Sequence, residues 1–138
     1  MPVIENVLKM IKSSYIKNIL DLLLDSDEVG KLYRQQLEYI SENKYEYTKG
    51  SGVFIDFKHS DKIEIHRQNH NNKVIDGVTI ISVDKTLEAK AILFTKEGLI
   101  DYLEIWCVTD NYPNSDLDNY IATQDWVGSP GRKIIVEN

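Results

Sequence analysis

The chain has 138 residues, a length that fits one ordinary domain. Its 42% hydrophobic and 28% charged content provides enough apolar surface to order a core, which excludes general disorder. No apolar run approaches the roughly 20 residues of a membrane-spanning helix, the opening MPVIENVLKMIKSSY is unlike a signal peptide, and the single cysteine, Cys107, excludes an internal disulfide framework and suits a reducing cytoplasm.

Ile4, Leu8, Ile11, Tyr15, Ile19 and Leu22 recur at three- and four-residue spacing and predict a helix, continuous or broken at Ser13-Ser14. The polar cluster Asp25-Ser26-Asp27-Glu28 supplies a stop and a fresh N-cap. Val29, Leu32, Tyr33, Gln36 or Leu37, and Ile40 then predict a second amphipathic helix that ends near Ser41-Glu42-Asn43.

After residue 44 the period changes to two. Tyr45 and Tyr47 precede a turn at 49–52, Val53, Ile55 and Phe57 predict a strand, and Ile63 and Ile65 predict another. Residues 67–73 are polar and loop-like, whereas Val78, Ile80 and Ile81 form a further apolar stretch. Ala89 to Phe94 and Leu99 to Val108 read as two strands joined by Lys96-Glu97-Gly98. Both faces of the 89–94 strand carry apolar side chains, which predicts a central strand covered at least partly on both sides. The expectation is a single α+β domain over 1–138, with two N-terminal helices packed on an antiparallel β-sheet meander. Residues 1–43 would be helical, 44–109 the meander, and 110–138 an irregular acidic region.

Charge is uneven along the chain. Residues 1–50 carry 7 basic and 8 acidic groups, 51–100 carry 7 and 7, and 101–138 carry 2 and 7. From Asp101 to Asp125 there are six carboxylates and no lysine or arginine. Such a segment repels phosphates and speeds encounter with a basic partner; equally, it could be a solvated face that keeps the protein soluble. Tyr102, Trp106, Tyr112, Tyr120 and Trp126 interleave with the acids, and Tyr and Trp are common interface anchors. The candidate binding residues are therefore Asp101, Asp110, Tyr112, Asp116, Asp118, Tyr120, Asp125 and Trp126, mostly placed in loops at one end of the sheet. The polar loop 67–73 is the next candidate.

Catalytic signatures are missing: there is no GxGxxG, GxxxxGK[ST], GxSxG or HExxH. His66 and His70 have spacing that would suit zinc on a helix, but they sit in an asparagine-rich stretch that reads as a loop. Cys107 lies in an apolar run and reads as a buried small side chain. Asp56, Asp61 and Glu64, or Asp101 and Glu104, could pair carboxylates, as alternating strands do on any solvated face. The reading is no enzyme, no metal, no cofactor, no nucleic acid and no membrane partner. A small hydrolase using His66, His70 or a carboxylate pair is the enzymatic alternative.

The segment EAKAILFTKEGLIDYLEIWCVTDNYP (88–113) resembles small bacterial immunity proteins of contact-dependent growth inhibition and other polymorphic toxin systems. The matching positions are Ala89, Ala91, Leu93, Phe94, Gly98, Leu103, Glu104, Ile105, Trp106 and Pro113, and the helical start and the 52–55 strand fit that layout. The resemblance implies a cytoplasmic protein without catalysis that binds the C-terminal domain of one cognate toxin, often a nuclease with a cationic cleft. It also implies that Glu104 serves a structural hydrogen bond. A small acidic adaptor with an unrelated partner is the other interaction reading. Residues 114–119 and 126–138 match no pattern of that family.

Overall fold

The computed structural model describes residues 10–25, 28–69 and 72–138. The expected helical positions Ile4 and Leu8, and His70, lie outside them. Helix α1 (Ser14–Leu23) starts where Ser13 takes extended dihedrals and its hydroxyl accepts the Ile16 N–H at 3.1 Å. The Glu42 carboxylate accepts the Lys12 and Ser13 N–H groups, so the helix entry is tied to the sheet. Tyr15, Ile16, Ile19, Leu20, Leu22 and Leu23 are buried, which gives the helix one wide apolar face.

Helix α2 (Glu28–Arg34) is shorter than its apolar spacing predicts. A 3₁₀ turn (Leu37–Tyr39) follows, and Ile40 opens the first strand. The buried Gln36 amide decides this. It donates to the Gly98 and His66 carbonyls and accepts the Ile100 N–H, which pins the chain to the β4–β5 turn. Ile40, which fits the helical period, is instead paired opposite His59.

The strands are β1 (Ile40–Tyr47), β2 (Gly52–His59), β3 (Val74–Ser82), β4 (Glu88–Lys96), β5 (Leu99–Cys107), β6 (Tyr120–Gln124) and β7 (Lys133–Val136). They form one seven-stranded sheet in the order β1-β2-β5-β4-β3-β6-β7, antiparallel at every pairing. The α+β arrangement is as expected, with the continuous meander running through β3, β4 and β5. Residues 110–138 are not irregular throughout, because β6 and β7 extend the sheet there. The β6 pattern escapes notice because its inward side chains are Tyr120, Ala122 and Gln124, only partly apolar.

The stretch holding Ile63 and Ile65 is a 3₁₀ helix (Asp61–His66), not a strand. Ser60 caps it, and the threefold turn separates the two isoleucines: Ile63 is buried while Ile65 is 80% exposed. Two apolar residues two apart cannot distinguish these states. At the β4–β5 turn, Glu97 and Gly98 both have positive φ (53° and 83°), as a tight hairpin requires. A side chain at Gly98 would also stand 2.1 Å from the Gln68 carbonyl oxygen, so the 67–69 backbone packs there only against glycine.

Helix α1 lies on the inner face of the sheet, over β3, β4 and β6. The core beneath it includes Val53, Ile55, Val78, Ile80, Ala89, Ala91, Leu93, Leu103, Ile105 and Ala122. β4 is the central strand, as its composition predicts. Its outer residues Lys90, Ile92 and Phe94 are only half-buried, however, and no described helix packs over them. The outer face of β4 is thus only partly covered, while the inner face is fully buried. No helix among the described residues is long and apolar enough to cross a membrane.

Candidate protein-binding surface

The structure divides the eight sequence-predicted residues among four environments. Tyr112 and Tyr120 are core residues, 4% and 2% exposed. The Tyr112 and Tyr15 hydroxyls share a hydrogen bond of 2.8 Å, Tyr120 accepts from Asn18 Nδ2 at 2.9 Å, and the Tyr15 and Tyr120 rings meet edge-on at 4.9 Å. Burial, with the nearby Asp116 charge and other contacts, pushes the Tyr15, Tyr112 and Tyr120 hydroxyls above the ordinary tyrosine range, although the Asn18 contact partly opposes this at Tyr120. Neither Tyr112 nor Tyr120 is available as an interface anchor.

Asp110, Asp116 and Asp118 gather near one end of the sheet. Asp110 has φ 59° and accepts from Ser51 Oγ at 3.3 Å. Asp116 accepts from Ser13 Oγ at 2.6 Å, beside the start of α1, where a negative charge is favourable. The exposed Asp118 takes the Asn138 side-chain amide on its backbone carbonyl. Asp84, Asp116, Asp118 and Glu137 line an open groove of about 550 Å³ that has no cationic side chain in its wall. Asp84 is held below the ordinary carboxylate range by the Ser82 and Thr86 side chains and the Thr86 N–H. Two acids of this groove, Asp84 and Asp116, thus already have hydrogen-bond donors. Asp101 sits apart, at the bulge of β5 opposite the junction of Phe94 and Thr95.

Asp125 and Trp126 belong to the sheet surface. Asp125 pairs with Lys90 at 3.3 Å and accepts from the Thr79 hydroxyl. The Trp126 ring lies over Gly77, whose φ is 104°, and a side chain at Gly77 would stand 2.7 Å from it. Trp126, Trp106, Lys90, Ile92 and Asp125 line a hollow of about 410 Å³.

That hollow is one part of a larger surface that was not singled out from sequence. Strand alternation turns Phe54 and Asp56 of β2, Tyr102, Glu104 and Trp106 of β5, and Lys90, Ile92 and Phe94 of β4 away from the core. The Phe94 and Tyr102 rings stack at 4.4 Å and 13°, and Phe54 adjoins Tyr102 at 6.2 Å, so three rings cross three strands in a row. Trp106 is 49% exposed. A second hollow of about 380 Å³ lies beside the row, lined by Lys44, Glu46, Phe54, Asp56 and Tyr102. The signal available in the sequence was the double apolar character of 89–94, read there as cover on both sides, together with Phe54 on the second face of the 53–57 strand.

Cys107 is buried, its sulfur near the Thr109 hydroxyl and the Asn111 amide oxygen. His66 bonds Gln35 and lies against the Tyr39 ring, while His59 bonds the Ile100 carbonyl. Among the described residues, no cluster of three or more His, Cys, Asp or Glu could hold a metal ion. The loop that was next in line as a contact is partly structural: Gln68 N–H donates to the Gly98 carbonyl, and Arg67 is paired with Glu64 at 2.7 Å.

Compared with protein-family models, curated proteins and solved structures, the chain matches none of them.

Proposed function

We propose that the chain is an immunity protein that binds the C-terminal domain of one cognate bacterial toxin, of nuclease type, and neutralises it by contact in the cytoplasm, without catalysis. The observation that supports this reading is the open outer face of the sheet. Half-buried Phe54, Phe94, Tyr102 and Trp126 together with exposed Trp106 make an aromatic patch of the kind that protein-binding sites use. The 88–113 resemblance falls on the same β4–β5 hairpin. Ala89, Ala91, Leu93, Leu103 and Ile105 serve its inner face, and Phe94, Glu104 and Trp106 its outer one. The net charge of −6 suits a partner with a cationic cleft.

The test begins with the gene upstream of this one and the C-terminal domain it encodes. Expressed alone, that domain should arrest growth, and co-expression of this chain should restore it. The purified pair should form a 1:1 complex. Continued arrest together with no complex would overturn the reading. An adaptor would show neither effect and would bind a protein encoded elsewhere.

A further inference from the structure

We propose that the outer sheet face receives an arginine side chain from its protein partner at Glu104, between Tyr102 and Trp106. This rests on the binding reading above and names the surface and the chemistry of the contact.

Glu104 stands in the middle strand of the ring row, opposite Phe54 on one side and Ile92 on the other, with Tyr102 and Trp106 two residues away on the same face. Its carboxylate has no hydrogen-bond or ion-pair partner among the described residues, so the structural hydrogen bond implied by the resemblance is not made. Burial among these apolar neighbours, with nothing to offset it, pushes the carboxyl above its ordinary range. Several other acids have partners. Asp21 has Arg34 and Arg132, Asp25 has Arg132 and Gln124, Asp116 has Ser13, and Asp125 has Lys90 and Thr79. Among the described residues the part-buried carboxylates of Asp101 and Glu88, like that of Glu104, have none; Glu104 differs in standing between aromatic and apolar side chains on three strands. Lys90, the cation on the same face of the adjoining strand, is engaged by Asp125 and Thr79. Glu104 is left as a partly desolvated charge awaiting a donor from outside.

A guanidinium suits this place better than an ammonium. It binds a carboxylate through two parallel N–H groups and stacks on aromatic faces, here Tyr102 and Trp106. The two hollows, about 380 Å³ and 410 Å³, include Tyr102 and Trp106 in their respective linings and give the partner's flanking side chains places to enter. A second copy of this chain is disfavoured, because a twofold axis through the patch would set Glu104 against Glu104.

Two measurements test this. The first uses the peptide acetyl-Arg-Arg-Arg-amide at low salt, followed by amide NMR shifts and by Trp106 fluorescence in a Trp126→Phe background. Shifts should centre on residues 102–106, Glu104→Gln should weaken binding about tenfold, and the tri-lysine analogue should bind less well. Shifts centred on Asp116, Asp118 and Glu137, or an unchanged Glu104→Gln titration, would overturn the inference. So would a concentration-dependent dimer that Glu104→Gln leaves intact. The second uses the neighbouring toxin domain, where Glu104→Gln should raise Kd by at least about tenfold while Asp118→Asn leaves it nearly unchanged. If wild type binds that domain and Glu104→Gln binds equally well, the contact lies elsewhere and the immunity reading survives. If wild type does not bind it, the immunity reading falls and the peptide titration alone decides the arginine site.

Discussion

Along β5 two sets of side chains alternate in one backbone with opposite fates. Leu103, Ile105 and Cys107 disappear beneath the core under α1, while Tyr102, Glu104 and Trp106 face outward, where no described helix covers them. Both sets are largely apolar, so hydrophobicity alone does not say which side is the core. The difference lies in what the chain supplies opposite each face. The inner face meets the leucines and isoleucines of α1, and the outer face meets a lone carboxylate and two hollows. The half-buried apolar surface of the outer face is what the proposed reading assigns to a partner.

The largest expected effect separates the two sets directly. Leu103→Ala removes a fully buried side chain and should cost about 2–5 kcal/mol in urea unfolding, and Ile105→Ala a similar amount. Trp106→Ala, next to Ile105 in the chain, should change stability by no more than about 0.5 kcal/mol. Tyr102→Ala falls between, because it also loses the stacked Phe94 ring, a contact of about 0.5–1.5 kcal/mol. Equal losses at Leu103 and Trp106 would mean that the outer face is packed, and the comparison would break.

Next come the buried hydroxyls. Tyr112→Phe leaves the Tyr15 hydroxyl without its partner inside the core, which should cost about 1–3 kcal/mol. Tyr33 is also fully buried, but its hydroxyl has no hydrogen-bond partner, so Tyr33→Phe should leave the melting temperature unchanged or raise it. A stability loss in Tyr112→Phe would place Tyr112 with Leu103, against its reading as an interface anchor.

A smaller effect concerns the acidic end of the sheet. Ser13→Ala removes the cap of α1 and the donor to Asp116 together, and should cost about 1 kcal/mol in thermal unfolding. Reversing Asp116 should therefore destabilise the fold as well as alter surface charge. Reversal of exposed Asp118, whose only hydrogen bond among the described residues is through its backbone carbonyl, isolates the charge effect, which should slow association with a basic partner and fade as salt rises.

What could be read from the sequence follows this same division. The inner face announced itself: the alternation of Ala89, Ala91 and Leu93, the Lys96-Glu97-Gly98 turn, and the helical spacing of Tyr15, Ile19 and Leu22 all lie in elements of the expected type. The helix of residues 28–34 stops early because buried Gln36 holds the start of β5, a contact spanning more than sixty residues to Ile100 that no local pattern encodes. The binding candidates fared worse for a related reason. Tyr112 and Tyr120 sit among acids in sequence, but in space they pack on Tyr15 and Asn18 of α1. Glu104 was given a structural hydrogen bond by the family resemblance alone. Only strand register shows that Phe54, Ile92, Tyr102 and Trp106 surround it with no donor.

The smallest effect, and the one that most sharpens the contrast, is the pH dependence of stability at Glu104 and Asp25. The Arg132 and Gln124 side chains hold Asp25 below its ordinary value. Its contribution is therefore fully present above the unfolded pKa of about 3.9 and is lost as pH falls through the lower folded value. Wild type should exceed Asp25→Asn in stability at neutral pH, with the gap closing below about pH 4. Glu104 has the opposite sign, because burial raises its folded pKa above the unfolded value of about 4.3. Below that value both states are protonated and the residue is neutral to folding. As pH rises through the window up to the raised folded value, the unfolded chain ionises more readily and a cost to the fold develops, then stays constant. Glu104→Gln should thus match wild type near pH 4 and melt slightly higher at pH 7, while weakening arginine binding. A residue whose removal stabilises the free protein and weakens its complex is placed for the partner. If Glu104→Gln instead melts lower at pH 7, the carboxylate has a stabilising partner inside the chain, and the outer face of β5 is closer to its inner face than the register implies.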